Sequence, residues 1–410
     1  SFCTLLEPLL SSMRRMSARL AAAGSGAAAN AAAGKHSRLP LLFTAGPLQT
    51  SMPVKEAMLR DYGSRDAAFV QCIKDVRSGL VRVGDASPAE WTGVPMQGSG
   101  TMGIEAAIRT TTPRKGALVA VVTNGSYGAR IASICDTIGV ECVRFKSEEG
   151  AAIDLAALEA FVKEHGARLT NFAIVHCETS TGMFNPIHDA ARIVRQHAPQ
   201  ATIILDAMSS FGAVPFKADD VCDIMISSAN KCIQGVPGFS VILARKALLE
   251  KCRGNSTSYT LDVCVQNDGL DKTGQFPNTP PVHAMMAFRQ ALIEHTEEGG
   301  VAARAQRYKA LATRTAEGMK ALGFTLFLEE GSDRMGYIIT AYNTPKHPKW
   351  NFVQFNDRLR EKGVVLYPGK ASHADTFRIG SLGDLYMDDV EMMLAAVSST
   401  MEELGINLLE

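Results

Sequence analysis

Neither sign of charge prevails in this sequence: 42 Lys and Arg face 42 Asp and Glu, and the formal net charge is zero. A nucleic-acid binder shows a basic excess or a basic stripe, and no stretch here supplies one. No run of 18 uncharged apolar residues occurs, so the pattern contains no membrane-spanning helix. The nine cysteines (Cys3, Cys72, Cys135, Cys142, Cys177, Cys222, Cys232, Cys252 and Cys264) are scattered. They follow no metal-ligand spacing and no disulfide framework, and read as buried thiols of a reducing compartment. The phosphate signature G-x-x-x-x-G-K-[ST] is also missing, which excludes a P-loop. What remains is the composition of a globular chain, 46% hydrophobic and 20% charged. At 410 residues it has room for one large domain and a smaller one.

Residues 1–40 are different material. They carry Arg14, Arg15, Arg19, Lys35 and Arg38 in an Ala- and Ser-rich background, with Glu7 as the only acid. That composition reads as a disordered leader of the kind that directs proteins to mitochondria, the alternative being a cytoplasmic chain with a low-complexity extension. The leader is set aside from the fold.

From Leu41 onward, short apolar strands alternate with helical patterns. "ALVAVVTNG", "VECVRF", "FAIVHCE", "TIILDAMSS", "CDIMISSANK" and "GFSVILAR" read as strands, with helices of period near 3.6 between them. Near-continuous apolar strands separated by helices predict an α/β fold, a mostly parallel sheet covered on both faces. The texture changes after about residue 295, where a long helix leads into "TLFLEE", "MGYIITAYNTP", "VVLYPG" and "TFRIGSLG". The expected organisation is a large cofactor-binding domain over 41–295 and a smaller α+β domain over 296–410.

In an open parallel sheet, ligands sit beyond the carboxyl ends of the strands. Three polar clusters lie there: "VHCETSTG", "ILDAMSSFG" and "ISSANKCIQG". Asp206 and Lys231 stand at two successive strand ends. Singly, Asp206 reads as a helix cap and Lys231 as a surface lysine; placed at neighbouring strand ends, each followed by small residues and a glycine, they point to one site. A fourth cluster, "PMQGSGTMGIEAAIR", puts Gly98, Ser99, Gly100 and Thr101 before a helix, whose free N–H groups and positive dipole end suit a phosphate. On its own this is also a plain turn and cap.

An amine, a carboxylate and a phosphate cradle on one sheet edge are together what pyridoxal 5′-phosphate needs. The lysine forms the Schiff base, the aspartate keeps the pyridine nitrogen protonated, and the helix start carries the phosphate. Partial burial and neighbouring positive charge favour the reactive, uncharged amine.

These same stretches resemble the fold-type I, class V aminotransferases. The similarity runs from "LLFTAGPLQTS" through "GSRDAAF", "QGSGTMGIEA", "NGSYGAR", "HCETSTG", "DAMSSFGAVP", "SSANKCIQGVPGF" and "QFPNTPPVHAMMAF" to "FRIGSLGD", nearly all of the chain after the leader. The resemblance implies Lys231 as the Schiff-base lysine and Asp206 as the partner of the pyridine nitrogen, the two catalytic residues. It implies Ser99, Gly100 and Thr101 as the phosphate loop, Tyr127 as the aromatic stacked on the cofactor ring and Thr179 as the hydroxyl at its phenolic oxygen. Thr279 would reach the cofactor phosphate of the other subunit of a homodimer with composite sites, and Arg378 would hold the substrate anion. No metal is implied.

Within that family the motifs are most similar to members that use 2-aminoethylphosphonate as amino donor and pyruvate as acceptor. Ala45, Pro277 and Asn278 depart from the family's commoner residues. The alternatives are the alanine–glyoxylate and serine–pyruvate reactions, and a non-catalytic cofactor-binding protein. A desulfurase needs a mobile-loop cysteine late in the chain, and the last here is Cys264. Glu178, His176 and His283 read as structural rather than catalytic.

Overall fold

Seven strands make the central sheet of this chain, whose computed structural model describes residues 40–409; the leader and its targeting reading lie outside the described residues. In chain order the strands are β1 (Trp91–Gln97), β2 (Leu118–Thr123), β3 (Glu141–Lys146), β4 (Asn171–Val175), β5 (Thr202–Asp206), β6 (Ile224–Ser228) and β7 (Phe239–Arg245). Their spatial order is β1-β7-β6-β5-β4-β2-β3. β7 runs antiparallel to both its neighbours, β1 and β6, and the pairs from β6 through β3 are parallel. Every residue of β4, β5 and β6 is buried, which is why these strands read as unbroken apolar runs instead of alternating ones.

Helices cover both faces. They are α1 (Ala67–Val83), α2 (Gly100–Thr111), α3 (Ser126–Thr137), α4 (Leu155–His165), α5 (Ile187–His197), α6 (Val263–Thr273) and α7 (Val282–Glu297). α2 packs on β6 and β7, α3 on β2 and β3, and α1 against β1 and α7. α5 shows how the sequence writes such a helix. Ile187, Ala190, Ala191, Ile193 and Val194 are buried at helical spacing, and Asp189 sits in its first turn against the positive dipole end. α4 begins where Asp154 accepts from the N–H groups of Ala156 and Ala157 at 2.9 and 3.0 Å.

The C-terminal part holds α8 (Gly300–Ala321), β8 (Ile339–Asn343), α9 (Phe352–Glu361), β9 (Tyr367–Pro368), β10 (Thr376–Gly380) and α10 (Met387–Leu404). β8, β10 and β9 form an antiparallel sheet in that order, and α8 and α9 both pack on α10. "TLFLEE" is not a strand: it contributes a single bridge, Leu326 to Tyr342. β1 was not read from the sequence, because Gly93 and Pro95 argue against a strand. Its position resolves this, since an edge strand tolerates a residue with no N–H to donate. Among the described residues no helix is long and apolar enough to cross a membrane.

Candidate active site

The carboxyl ends of β4, β5 and β6 open into a cavity of about 560 Å³, within the range of small-molecule sites. Asp206 is the last residue of β5, and Lys231 lies just beyond the end of β6, on a turn. That turn is tightly tied. Gln234 N–H donates to the Lys231 carbonyl at 2.7 Å, and Gly235 N–H donates to the Ala229 carbonyl at 2.9 Å. Gln234 has φ +67°, a left-handed conformation uncommon for a residue with a side chain. Its buried amide offsets the strain by donating to Tyr308 Oη at 2.7 Å and to the Gly383 carbonyl at 2.6 Å. The lysine-bearing turn is thereby anchored to α8 and to the loop before α10.

The Lys231 ammonium donates to the Ala45 carbonyl. A Cβ added at Gly46, whose φ is +113°, would stand 2.8 Å from Lys231 Nζ, so glycine there makes room for the amine. Burial lowers the Lys231 pKa below its ordinary value, and the Arg378 charge adds to this. Asp206 accepts from Met208 N–H at 2.9 Å through Oδ1. Burial pushes its pKa up to about 7, with the charges of Lys231 and Arg130 pulling the other way. Once ionised, this buried carboxylate has the charge to pair with a protonated ring nitrogen, and a cation brought there would favour that form.

Ser99 caps α2, its Oγ accepting from Met102 N–H at 3.4 Å, which leaves the first N–H groups of the helix facing the cavity. The Met208 side chain packs close on Gly100: a Cβ there would lie 2.2 Å from Met208 Sδ, and the methionine would have to move. Thr101 Oγ1 accepts from Arg130 Nη1 at 3.3 Å, so a cation stands beside the helix start. Tyr127, second residue of α3, is seated by Glu178, which accepts from the N–H groups of Tyr127 and Gly128, both at 3.1 Å. Glu178 thus caps α3 from a distance, as its structural reading requires. The Tyr127 phenol hydrogen-bonds with Thr179. Burial raises the Tyr127 pKa, but that bond and the charges of Lys231, Lys370 and Arg378 outweigh it, and the net shift is downward.

Lys231, Asp206, Ser99, Gly100, Thr101, Tyr127 and Thr179 all line the one cavity. Arg378 lies behind its wall, donating from Nη1 to the Thr179 carbonyl at 3.1 Å and from Nε to the Pro368 carbonyl at 3.0 Å. Thr279 does not join them; it is exposed, on the segment between α6 and α7. His283 pairs with Asp61 on the surface at 2.9 Å. His176 is buried beside Phe184 and Phe216, and burial lowers its pKa to about 3. Arg130, Asn230, Met208 and Cys177 are cavity residues that the sequence reading passed over. Arg130 was within reach of it, since it follows Tyr127 by three residues on one helix face.

These residues fit pyridoxal 5′-phosphate end for end. Asp206 would take the ring nitrogen, Thr179 the phenolic side and Tyr127 the ring face, and α2 with Arg130 would offer N–H groups and a cation to the phosphate. The pairing of Asp206 with Lys231 across neighbouring strand ends defines the class, a fold-type I enzyme dependent on that cofactor. Solved structures agree on the fold. A pyridoxamine–pyruvate aminotransferase from Mesorhizobium loti superposes with TM-score 0.80 at 24% identity, covering 90% of this chain and 94% of its own. An alanine–glyoxylate aminotransferase from Nostoc sp. gives TM-score 0.80 at 23% identity, covering 88% and 95%.

The chain belongs to the aminotransferase class-V family, whose model matches residues 59–375. Among curated relatives, a 2-aminoethylphosphonate–pyruvate transaminase from Burkholderia ambifaria is 43% identical over 369 residues, 90% of this chain and 97% of the relative. One of the same name from Vibrio cholerae is 44% identical over 360 residues, 87% of this chain and 96% of the relative.

Proposed function

We propose that this chain transfers the amino group of 2-aminoethylphosphonate to pyruvate, releasing phosphonoacetaldehyde and L-alanine. One observation carries the reading. Lys231 and Asp206 line a single cavity, with Arg378 bonded to its wall residue Thr179, in a chain more than 40% identical, over nearly its whole length, to transaminases of that name. When bound, pyridoxal 5′-phosphate supplies the electron sink and carries the amino group between the two half-reactions.

The chain's own residues do the rest. Lys231 would hold the cofactor and, as a free amine, would take the proton from the amine-bearing carbon, a task suited to a lysine whose pKa burial has lowered. Asp206 would keep the ring nitrogen protonated. Arg378 Nη2, with Nε and Nη1 already bonded to carbonyls, is the guanidinium edge left for the acid head of the substrate. The test is a donor panel with pyruvate as acceptor: 2-aminoethylphosphonate should exceed alanine, serine and β-alanine in kcat/KM. Preference for serine or alanine would move the chain to another reaction of the family.

The exposed position of Thr279 supports a homodimer in which this residue reaches the partner's cofactor phosphate, and an active monomer in sedimentation would exclude it. The composition of residues 1–40 supports mitochondrial delivery, which a fluorescent fusion of that segment would test against a cytoplasmic location.

A further inference from the structure

A phosphonate and a carboxylate present the same site with different charge. The second ionisation of a phosphoryl-type acid falls near neutrality, so the donor's head group is close to a dianion, whereas pyruvate is a monoanion. Once Lys231 has been joined to the cofactor its ammonium no longer contributes a full charge, and Arg378 alone offers the head group one guanidinium edge. One cation balances pyruvate and leaves a phosphonate half-compensated.

The hairpin that carries Arg378 also carries a second cation. β9 ends at Pro368, whose carbonyl accepts from Arg378 Nε, and Lys370 follows two residues later. The loop is fixed at both ends of that step. Gly369 N–H donates to the Thr376 carbonyl at 2.8 Å, and Ser126 Oγ donates to the Lys370 carbonyl at 2.9 Å. The second bond docks Lys370 on the start of α3, beside Tyr127. Its half-buried side chain places Nζ 4.5 Å from the centroid of the Tyr127 ring, which is part of the cavity wall. Among the described residues no carboxylate pairs with Lys370; its ring contact is the interaction the ammonium makes. The other lysines and arginines with buried or half-buried heads near the site are committed: Arg130 to Thr101, and Arg378 to two carbonyls. Lys370 is the uncommitted one, and Lys231, Lys370 and Arg378 all act electrostatically on the same Tyr127 phenol.

We propose that Lys370 is the second cation of the substrate subsite, holding the phosphonate head together with Arg378 and setting the preference for a dianionic donor over a carboxylate one. This rests on the phosphonate reading above. The experiment uses the cofactor-loaded enzyme as wild type, Lys370→Met, Lys370→Gln and Lys370→Arg, with the 2-aminoethylphosphonate and L-alanine half-reactions measured on each preparation. Binding of two unreactive probes, 2-hydroxyethylphosphonate and 3-hydroxypropionate, is followed by calorimetry.

The neutral variants should lower the ratio of kcat/KM for the phosphonate to kcat/KM for alanine by about tenfold or more, through KM. They should weaken the phosphonate probe more than the carboxylate probe, and Lys370→Arg should restore most of both. Equal losses on the two donors, or no loss, would overturn the role of Lys370 while leaving the phosphonate reading standing. Wild type that fails to convert 2-aminoethylphosphonate would overturn both.

Discussion

Arg130 Nη1 donates to Thr101 Oγ1 over 3.3 Å, which sets a guanidinium beside the first turn of α2. Thr101 lies on α2 and Arg130 on α3, two helices that touch although the strands before them, β1 and β2, are far apart in the sheet, and nothing in their sequence separation announces the contact. A helix N-terminus attracts an anion through its N–H groups, and a cation at the same place adds charge to that field. Arg130 also lies 4.9 Å from the Tyr127 ring centroid, so it braces the aromatic wall as well.

Arg130→Met should therefore loosen the cofactor while leaving the fold intact. Loss of one charge-assisted contact costs roughly 1.5–3 kcal/mol, or about ten- to a hundredfold in affinity. Equilibrium dialysis of pyridoxal 5′-phosphate against the variant measures it. Unchanged affinity would remove Arg130 from the phosphate end.

Asp206 gives a pH dependence of definite sign in the cofactor-free protein. Its native pKa is raised from 3.8 to about 7 by burial, so between those values the folded chain keeps a proton that the unfolded chain has released. Stability contributed by this group falls as pH rises through that window. Asp206→Asn removes the penalty. The cofactor-free variant should be more stable than wild type at about pH 8, by at most about 4 kcal/mol, with the gap closing near pH 4. Urea midpoints at the two pH values test this. The same variant, loaded with cofactor, should turn over at least about a hundredfold more slowly, because a neutral amide does not hold the ring nitrogen protonated.

Gly46→Ala should damage stability and chemistry together. Its φ of +113° is costly for any side chain, and the new Cβ would press on Lys231 Nζ at 2.8 Å. The backbone term is on the order of 1–3 kcal/mol. Thermal unfolding gives that part, and kcat should fall further than Tm alone explains, because the amine is displaced. A variant that loses stability at full kcat would show that Lys231 does not need this space.

The parallel strands and the pairing of Asp206 with Lys231 were legible because burial on both faces writes continuous apolar runs and because chemistry collects where such runs stop. β1 was not, since Gly93 and Pro95 are admissible there only by its place at the sheet edge, a property of the assembled sheet. Gln234 was not legible either. Its role depends on Tyr308 and Gly383, whose contacts exist only once α8 has packed beside the lysine turn. Arg130 and Lys370 carry no motif of their own, and both acquire meaning from the position of the Tyr127 ring.

Phosphorus NMR of 2-aminoethylphosphonate and pyruvate with the cofactor-loaded chain, run beside Lys231→Ala, tests the reading most directly. Wild type should convert the phosphonate signal to that of phosphonoacetaldehyde, with L-alanine formed in equal amount. In Lys231→Ala the rate should drop by about a thousandfold or more, because the residue that holds the cofactor and moves the proton is gone. Conversion by the variant at the wild-type rate, or none by wild type, would contradict it.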